Sequence, residues 1–248
     1  MNFETILEDC RSRYKGFDKK IKIDRKPRSF EEAISAKKDA GLNPIIAEIK
    51  PSSPSGVLRE IWDVEGVVKE IVHGGACGVS VLTEEKFFGG SLMSLKSAAG
   101  ASHLPVLRKD FIFDKSQIYE AYYYGADSLL LISSFFTTME LSGLVKVSRK
   151  LGMEPLVEVH SEGDVEKAEK AEARLYIINN RDKDTLKVDL NKSEKLSGLI
   201  GDVKIGASGI GNVEELKYVL TYCDAALIGT AIMKAEDIGK KVGEFVHG

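Results

Sequence analysis

Cysteine and histidine are scarce in this sequence, with three cysteines and four histidines in 248 residues. Cys10, Cys77 and Cys223 are odd in number and far apart. This pattern predicts reduced thiols in a cytoplasmic protein and not a disulfide framework. No pair of cysteines has the spacing of a zinc site, and the histidines are equally scattered. We therefore expect neither a disulfide nor a metal cofactor.

The sequence also lacks a large charge of either sign and any long apolar run. Its formal net charge is −3 and its pI is near 5.9, which gives no bulk attraction to nucleic acid or to an anionic membrane. No stretch approaches the ~20 apolar residues that span a bilayer. The first residues, MNFETILEDCRSR, mix charges of both signs and do not resemble a signal peptide. An anionic ligand would therefore need a local site of cationic side chains or backbone N–H groups.

Eight short apolar runs do recur along the chain, at 45–49, 78–82, 105–108, 128–133, 154–159, 174–179, 203–206 and 225–229. They are continuously apolar, as strands are when both faces of a parallel sheet are buried. Helical patterns lie between them: one capped by Asp63, and others at 115–124, 138–150, 161–172, 212–221 and 235–246. Eight strand–helix units predict an α/β fold of the (β/α)8 TIM barrel type. A doubly wound open sheet is the alternative.

Proline is sparse, with six residues, and no linker or low-complexity segment divides the chain. We therefore predict a single domain over residues 1–248. The barrel would occupy 45–248, and residues 1–44 would form an N-terminal helical extension, clearest in RSFEEAISAKKDAG. We expect this extension to cover the bottom or the side of the barrel.

Polar side chains interrupt four of the predicted strands near their carboxyl ends, the face at which such barrels carry their chemistry. These side chains are Glu48, Lys50, Lys109, Glu158, Asn179 and Arg181. Because alternate residues of a strand share one side, Glu48 and Lys50 are expected to point together into the barrel mouth, as are Lys109 and Phe111. Structural ion pairs that seal the barrel are the alternative. Buried charge is costly, so the set as a whole indicates an active site.

Glycine-rich turns follow the seventh and eighth predicted strands, with the sequences GASGIG (206–211) and GTA (229–231). Glycine lets the backbone approach an anion closely, and a following helix offers free N–H groups. Barrels commonly bind phosphate with these two loops, which predicts a phosphate site.

The loop 51–56, PSSPSG, either adds serine hydroxyls to that site or only connects two elements. Phe87, Phe88 and Phe111, near the second and third strands, either belong to the core or face a flat apolar substrate ring.

Several of these segments resemble the motifs of the indole-3-glycerol-phosphate synthase family. AEIKPSSPSG (47–56) is similar to the family's first-strand motif, LTEEKFFGGS (82–91) to its second-loop signature, and LRKDFI (107–112) to its third-strand motif. MEPLVEVH (153–160), INNRD (178–182), ASGI (207–210) and LIGTAIM (227–233) follow in the matching order. The resemblance covers about residues 40–235, essentially the whole predicted barrel.

The resemblance implies a lyase of tryptophan biosynthesis that needs no metal or organic cofactor. The family converts 1-(2-carboxyphenylamino)-1-deoxyribulose 5-phosphate to indole-3-glycerol phosphate, carbon dioxide and water. The partner would then be this small, phosphorylated, anthranilate-derived molecule, with no nucleic acid and no membrane. We expect a monomeric, cytoplasmic enzyme.

The resemblance also implies roles for individual residues. Lys109 would be the general acid of ring closure, and Lys50 would engage the anthranilate carboxylate and share the acid role; an exchange of roles between the two lysines is the alternative. Glu158 would be an acid or base of the dehydration. Glu48 and Asn179 would orient the substrate and hold the lysines charged. The residues implied to bind the rest of the substrate are Ser53, Ser208, Gly209, Gly229 and Thr230 for the phosphate, Arg181 for the polar network, and Phe88 and Phe111 for the anthranilate ring.

The sequence departs from the family's pattern at three of these positions. Ala207 stands where family members usually have a glutamate, so one carboxylate is missing from the predicted mouth. Pro51 and Ser52 stand where one or two basic residues are common. Two other functions stay open: another phosphate-binding barrel, such as a sugar-phosphate or phosphoribosyl isomerase, and a barrel that binds the substrate or product without turnover, which Ala207 supports.

Overall fold

The computed structural model describes residues 3–53 and 56–248 of the chain. Eight parallel strands close into a barrel in which β1 pairs with both β2 and β8. The strands are β1 (Ile45–Ile49), β2 (Gly78–Leu82), β3 (Val106–Lys109), β4 (Ser128–Ile132), β5 (Leu156–Val159), β6 (Leu175–Asn179), β7 (Val203–Ala207) and β8 (Ala225–Ile228). Each one coincides with a predicted apolar run. The predicted TIM barrel is therefore confirmed, and the open-sheet alternative is wrong because β1 and β8 are hydrogen-bonded to each other.

Helices precede the barrel and alternate with its strands. They are α1 (Phe3–Arg13), α2 (Phe30–Asp39), α3 (Val64–His73), α4 (Leu92–Ala101), α5 (Lys115–Tyr123), α6 (Thr138–Lys150), α7 (Glu162–Lys170), α8 (Asn191–Ser197), α9 (Val213–Tyr222), α10 (Thr230–Met233) and α11 (Ile238–His247). The short 3-10 helix Ser133–Phe135 follows β4, and an antiparallel hairpin joins Ser52–Ser53 to Gly56–Val57. No helix among residues 3–53 and 56–248 is long and apolar enough to cross a membrane.

Side-chain caps explain where several of these helices begin. Asp63 accepts a hydrogen bond from the backbone N–H of Gly66, which confirms its prediction as the N-cap of α3. Thr137 and Glu140 form a reciprocal capping box at the start of α6. The sequence did not predict α4, α8 and α10, because α8 and α10 are only seven and four residues long and α4 has little polar–apolar periodicity.

Alternation along the strands divides the apolar residues into two layers. Inward-facing residues such as Leu107, Leu156 and Ile177 fill the barrel, and outward-facing residues such as Val79 and Leu129 pack beneath the helices. Toward the carboxyl ends the inward positions become polar. The inward-facing apolar residues thus form a floor below the predicted site residues.

The N-terminal extension lies at both ends of the barrel. Phe30 of α2 contacts Gly78 at the amino-terminal start of β2, whereas Phe3 of α1 lies at the opposite end, against Phe111. The expectation that the extension covers only the bottom or the side is therefore wrong for α1, which buries Ile6 and Leu7 over the mouth. Residues 14–29 between the two helices contain no helix, although the whole segment was expected to be helical.

The link between α1 and α2 is fixed by one buried carboxylate, that of Asp127 at the start of β4. Asp127 accepts hydrogen bonds from the guanidinium groups of Arg25 and Arg28 and from the backbone N–H groups of Arg28 and Val106, at 2.8–3.0 Å. Its side chain is only 1% exposed. Because all of its partners donate to a charged acceptor, the cost of burial is offset within this cluster.

We predict that Asp127→Ala lowers the free energy of unfolding by about 3 kcal/mol or more, because it leaves two guanidinium groups and a buried strand N–H without their acceptor. Urea denaturation followed by circular dichroism measures the change. The matched control is Asp39→Ala at the exposed end of α2, which should shift the unfolding free energy by less than about 0.5 kcal/mol. Equal effects of the two substitutions would contradict the assigned role of Asp127.

Candidate active site

A cavity of about 220 Å³ opens at the carboxyl ends of the strands. Most of the predicted site residues line it: Lys50, Ser53, Phe88, Lys109, Phe111, Glu158, Asn179, Arg181, Ser208 and Thr230. They lie at or after the ends of seven of the eight strands, because the carboxyl ends of parallel strands meet at one rim of a barrel. Glu48, Gly209 and Gly229 lie directly behind this wall. Pro54 and Ser55 of the predicted serine loop lie outside the described residues.

One buried carboxylate joins the two lysines of the cavity. Oε1 of Glu48 accepts a hydrogen bond from Nζ of Lys109 at 2.8 Å, and Oε2 lies 3.0 Å from Nζ of Lys50. Burial would raise the pKa of Glu48, but the charges and hydrogen bonds of Lys109 and Lys50 prevail and lower the pKa to about 2. Glu48 is therefore ionised at neutral pH, and each of its oxygens holds one ammonium group.

Lys109 is held in its charged form by the same contact. Burial by itself would lower the pKa of this ammonium group. The negative charges of Glu48 and Glu158, together with the hydrogen bond to Glu48, outweigh burial and raise the pKa of Lys109 above its ordinary value. An ammonium group is thus maintained inside the cavity.

Glu158, at the end of β5, receives two hydrogen bonds on a single oxygen. Its Oε1 accepts from Nδ2 of Asn179 at 3.0 Å and from Nε2 of His160 at 2.9 Å. Burial opposes ionisation, but these two donors and the charge of Lys109 lower the pKa of Glu158 below its ordinary value. The cavity therefore contains a second ionised carboxylate, whose charge acts on Lys109.

Two consecutive left-handed residues follow β7. Ser208 has φ 68° and Gly209 has φ 85°, and a Cβ atom at position 209 would overlap the side chain of Val188. Successive N–H groups in such a turn form a concave site for an anion. Ser208 and Thr230 line the cavity beside it, and so does Lys234. Backbone N–H groups, hydroxyls and one ammonium group therefore converge on one end of the cavity.

Gly229 has a different structural reason to be glycine. A Cβ atom at this position would overlap Oε2 and Cδ of Glu48. The absence of a side chain thus leaves the space into which the Glu48 carboxylate fits between the two lysines. This steric requirement was not predicted from the sequence, which suggested only a turn near an anion.

Aromatic rings form the other end of the cavity. The Phe111 ring lies 6.2 Å from Phe88, 6.1 Å from Phe135 in a stacked arrangement, and 5.8 Å from Phe3 in an edge contact. Phe88 and Phe111 line the cavity as predicted, together with Phe3, which was not predicted. The wall is apolar and flat enough to contact a planar ring.

A buried glutamate, Glu84, holds the loop that carries Phe88. Its carboxylate accepts the backbone N–H groups of Phe87 and Phe88 at 2.6 and 3.1 Å, and it also accepts a hydrogen bond from Arg13 of α1 at 2.8 Å. The loop and α1 are therefore fixed to each other at the mouth. Glu84 lies within the segment LTEEKFFGGS, but no pattern in the sequence indicated that it would hold this loop.

Sequence reasoning missed several residues of the cavity wall: Phe3, Leu58, Leu82, Asp110, Leu130, Ile132, Leu186 and Lys234. Leu82, Leu130 and Ile132 could have been found by extending the inward alternation of β2 and β4 upward. Lys234 follows the glycine turn after β8 by one helical turn, so its spacing was also a usable signal. No comparable signal marks Phe3, whose position depends on how α1 crosses the mouth.

The arrangement combines an anion site, two ammonium groups, an ionised carboxylate and an aromatic wall in one cavity. It suits a substrate with a planar ring at one end and an acidic group at the other, and it can both donate and accept protons between them. No cluster of three or more His, Cys, Asp and Glu side chains in residues 3–53 and 56–248 has the geometry to hold a metal ion.

Comparison with solved structures agrees with the barrel. A tryptophan synthase alpha subunit from Legionella pneumophila superposes with a TM-score of 0.64 over 87% of this chain and 96% of its own, at 13% identity. A thiamine phosphate pyrophosphorylase from Pyrococcus furiosus gives 0.63 over 82% and 93%, at 16% identity. At such low identity these likenesses show the fold alone.

Sequence comparison is far more specific. The family model described as indole-3-glycerol phosphate synthase matches residues 4–245. The protein of that name from Methanocaldococcus jannaschii is 44% identical over 97% of this chain and 91% of its own length. Its counterpart from Carboxydothermus hydrogenoformans is 45% identical over 87% and 84%. This chain therefore belongs to the indole-3-glycerol phosphate synthase family.

Proposed function

We propose that this chain catalyses the indole-3-glycerol phosphate synthase reaction, with Lys109, Lys50 and Glu158 as its catalytic groups. The observation that supports this most strongly is the meeting of these three side chains in one cavity between an anion-binding turn and an aromatic wall. The substrate has matching parts in the same order: an anthranilate ring with its carboxylate, a ketone, and a phosphate.

Ring closure is the step for which the Lys109–Glu48 pair is suited. The aromatic carbon that carries the carboxylate attacks the ketone, and negative charge develops on the ketone oxygen. The Lys109 ammonium donates a proton to this oxygen, and the transfer is favourable because an ammonium group is a much stronger acid than the alcohol that forms. Lys50, held on the other oxygen of Glu48, binds the departing carboxylate as an ion pair and can share the acid role.

Decarboxylation and dehydration complete the indole. Loss of carbon dioxide returns an electron pair to the ring and restores its aromaticity. The ionised Glu158 then accepts a proton from the methylene carbon next to the ring nitrogen, while a lysine ammonium protonates the hydroxyl that leaves as water. Asn179, which donates to Glu158, orients this base and the substrate amine.

The phosphate is assigned to the polar end of the cavity. The N–H groups of Ser208 and Gly209 form the turn, and the backbone at Gly229 and the hydroxyls of Thr230 and Ser53 add to it. Lys234 supplies a cation to the same end of the cavity. The loop after β1 supplies none, because it has Pro51 and Ser52 where the family commonly has basic residues. Arg181 completes the polar rim, its guanidinium fixed by a 2.8 Å hydrogen bond to the carbonyl of Leu186.

Position 207, an alanine in this chain, contributes no carboxylate to the proposed site. It is buried on β7 beside Asn179 of β6, on the inner wall of the barrel. The site therefore retains Glu48 and Glu158 as its interior carboxylates on β1 and β5. Since the proposed chemistry uses one base and one lysine-holding carboxylate, turnover is expected without an acidic side chain at position 207.

We further propose that the enzyme acts as a single-domain monomer in the cytoplasm. All of the proposed groups come from one chain, and all three cysteines are unpaired.

The purified protein is expected to convert the anthranilate-derived ribulose phosphate to a fluorescent indole product without added metal. Lys109→Ala should raise the barrier by at least about 3 kcal/mol, which is a loss of more than about 100-fold in kcat/KM. Lys170→Ala, which removes an exposed lysine of α7, is the matched control and should leave the rate unchanged.

Mass analysis of the products separates the proposal from its alternatives. A sugar-phosphate isomerase would release no carbon dioxide. Tight substrate binding without turnover, with activity gained in Ala207→Glu, would instead indicate a binding barrel that has lost one catalytic carboxylate.

Glu48→Gln is expected to lower the pKa of Lys109. It removes the neighbouring negative charge while burial, which favours the neutral amine, remains. A carbon-13 NMR titration of the lysine ε-carbons, assigned with Lys109→Met, measures this directly. Glu166→Gln, at an exposed ion pair with Lys170, is the control and should leave Lys109 unaffected. An unchanged pKa of Lys109 in Glu48→Gln would show that this carboxylate does not keep the ammonium group charged.

Lys234→Met should raise KM for the phosphorylated substrate about three- to tenfold and leave kcat within about twofold, because the lost ion pair acts far from the reacting carbons. Steady-state kinetics test this, with Lys240→Met on the exposed start of α11 as control. A competitive inhibitor that lacks phosphate should bind both forms equally. A fall in kcat with unchanged KM would contradict the phosphate assignment.

A further inference from the structure

His160 lies immediately behind the proposed base. It follows β5 and stands two residues after Glu158, so both side chains project from the same side of the chain. Its Nε2 lies 2.9 Å from Oε1 of Glu158. Because an ionised carboxylate only accepts hydrogen bonds, Nε2 carries the hydrogen and His160 is the donor.

The His160 ring is held in place from three directions. Its side chain is 4% exposed, and the edge of the Phe3 ring packs on it at 6.0 Å between centroids. The backbone N–H of His160 donates to Asp164 in the first turn of α7 at 3.1 Å. Nδ1 is buried and has no hydrogen-bond partner in the part of the chain that the structure describes. The contact with Glu158 is therefore the polar interaction that orients the ring.

Both donors to Glu158 meet on the same oxygen. Nδ2 of Asn179 reaches Oε1 from β6, and Nε2 of His160 reaches it from the end of β5. Two donors on one oxygen restrain rotation of the carboxylate about its last bond more than one donor would. Oε1 is thereby occupied, and Oε2 is left to meet the substrate.

We propose that His160 is a positioning residue for the reaction: with Asn179 it fixes Oε1 of Glu158 so that Oε2 is presented to the substrate proton. This inference rests on the proposed synthase function, in which Glu158 is the base. His160 does not itself touch the reacting atoms. Its effect reaches the substrate only through the orientation and the basicity of Glu158.

The charged and titratable groups around Glu158 define what removal of His160 would change. They are His160, which follows β5, and Lys109 on β3, which itself interacts with Glu48 and Arg181. Loss of the His160 donor removes one interaction that favours the ionised form. The pKa of Glu158 would therefore rise. Because the reaction needs this base in its ionised form, activity would begin to fall at a higher pH as the solution is acidified.

A pair of substitutions separates positioning from packing. His160→Phe keeps an aromatic ring against Phe3 and removes the donor, whereas His160→Gln keeps an N–H donor at similar reach and removes the ring. We expect His160→Phe to lower kcat about 10- to 100-fold with KM within about threefold, and to move the acidic limb of the pH–kcat profile upward by about one pH unit. His160→Gln should recover most of the rate and return the acidic limb toward that of the wild type. If His160 acted only by packing against Phe3, His160→Phe would be the more active of the two variants.

A second measurement does not depend on turnover. Carbon-13 NMR titration of the glutamate side-chain carboxyl carbons, with Glu158 assigned by Glu158→Gln, should show a higher pKa for Glu158 in His160→Phe than in the wild type or in His160→Gln. An unchanged Glu158 titration would overturn the inference. A wild-type protein that makes no indole product, yet shows this shift, would refute the proposed function and leave the His160–Glu158 contact established.

Discussion

Two ammonium groups lie in the mouth of this barrel because a single buried carboxylate stands between them. Burial by itself would favour the neutral amine of Lys109, and Glu48 reverses that preference by lying 2.8 Å from it. The second oxygen of Glu48 lies 3.0 Å from Nζ of Lys50. In the proposed mechanism this carboxylate keeps Lys109 charged as the acid for the ketone oxygen and positions Lys50 for the substrate carboxylate.

The rest of the barrel serves this arrangement. Inward alternation brings Glu48 and Lys50 to the mouth from β1 and Lys109 from β3, and the absence of a side chain at Gly229 leaves room for the Glu48 carboxylate. The polar turn after β7 and the phenylalanine wall line the same cavity, and β3, which leads to Phe111, stands across the barrel from β7. In the proposed function, a long substrate with a ring at one end and a phosphate at the other would be aligned across Lys109, Lys50 and Glu158.

Sequence reasoning found those parts of the site that follow from local rules. The strands were predictable because both of their faces are buried, and Lys109 and Glu158 were predictable because alternation and strand ends fix where they point. Phe3 and His160 were not predictable in this way. Phe3 reaches the cavity only because α1 crosses the mouth, which depends on its packing and on the contact between Arg13 and Glu84. For His160, only the distance to Glu158 shows its relevance.

The most direct test of the central claim is a crystal structure of this protein with a reduced, unreactive analogue of its substrate, in which an alcohol replaces the ketone. The analogue carboxylate should lie within hydrogen-bonding distance of Nζ of Lys50, and the alcohol within that of Nζ of Lys109, with Glu48 still between the two lysines. Its phosphate should contact the N–H groups of Ser208 and Gly209. An analogue bound with its carboxylate and alcohol away from both lysines would contradict the account.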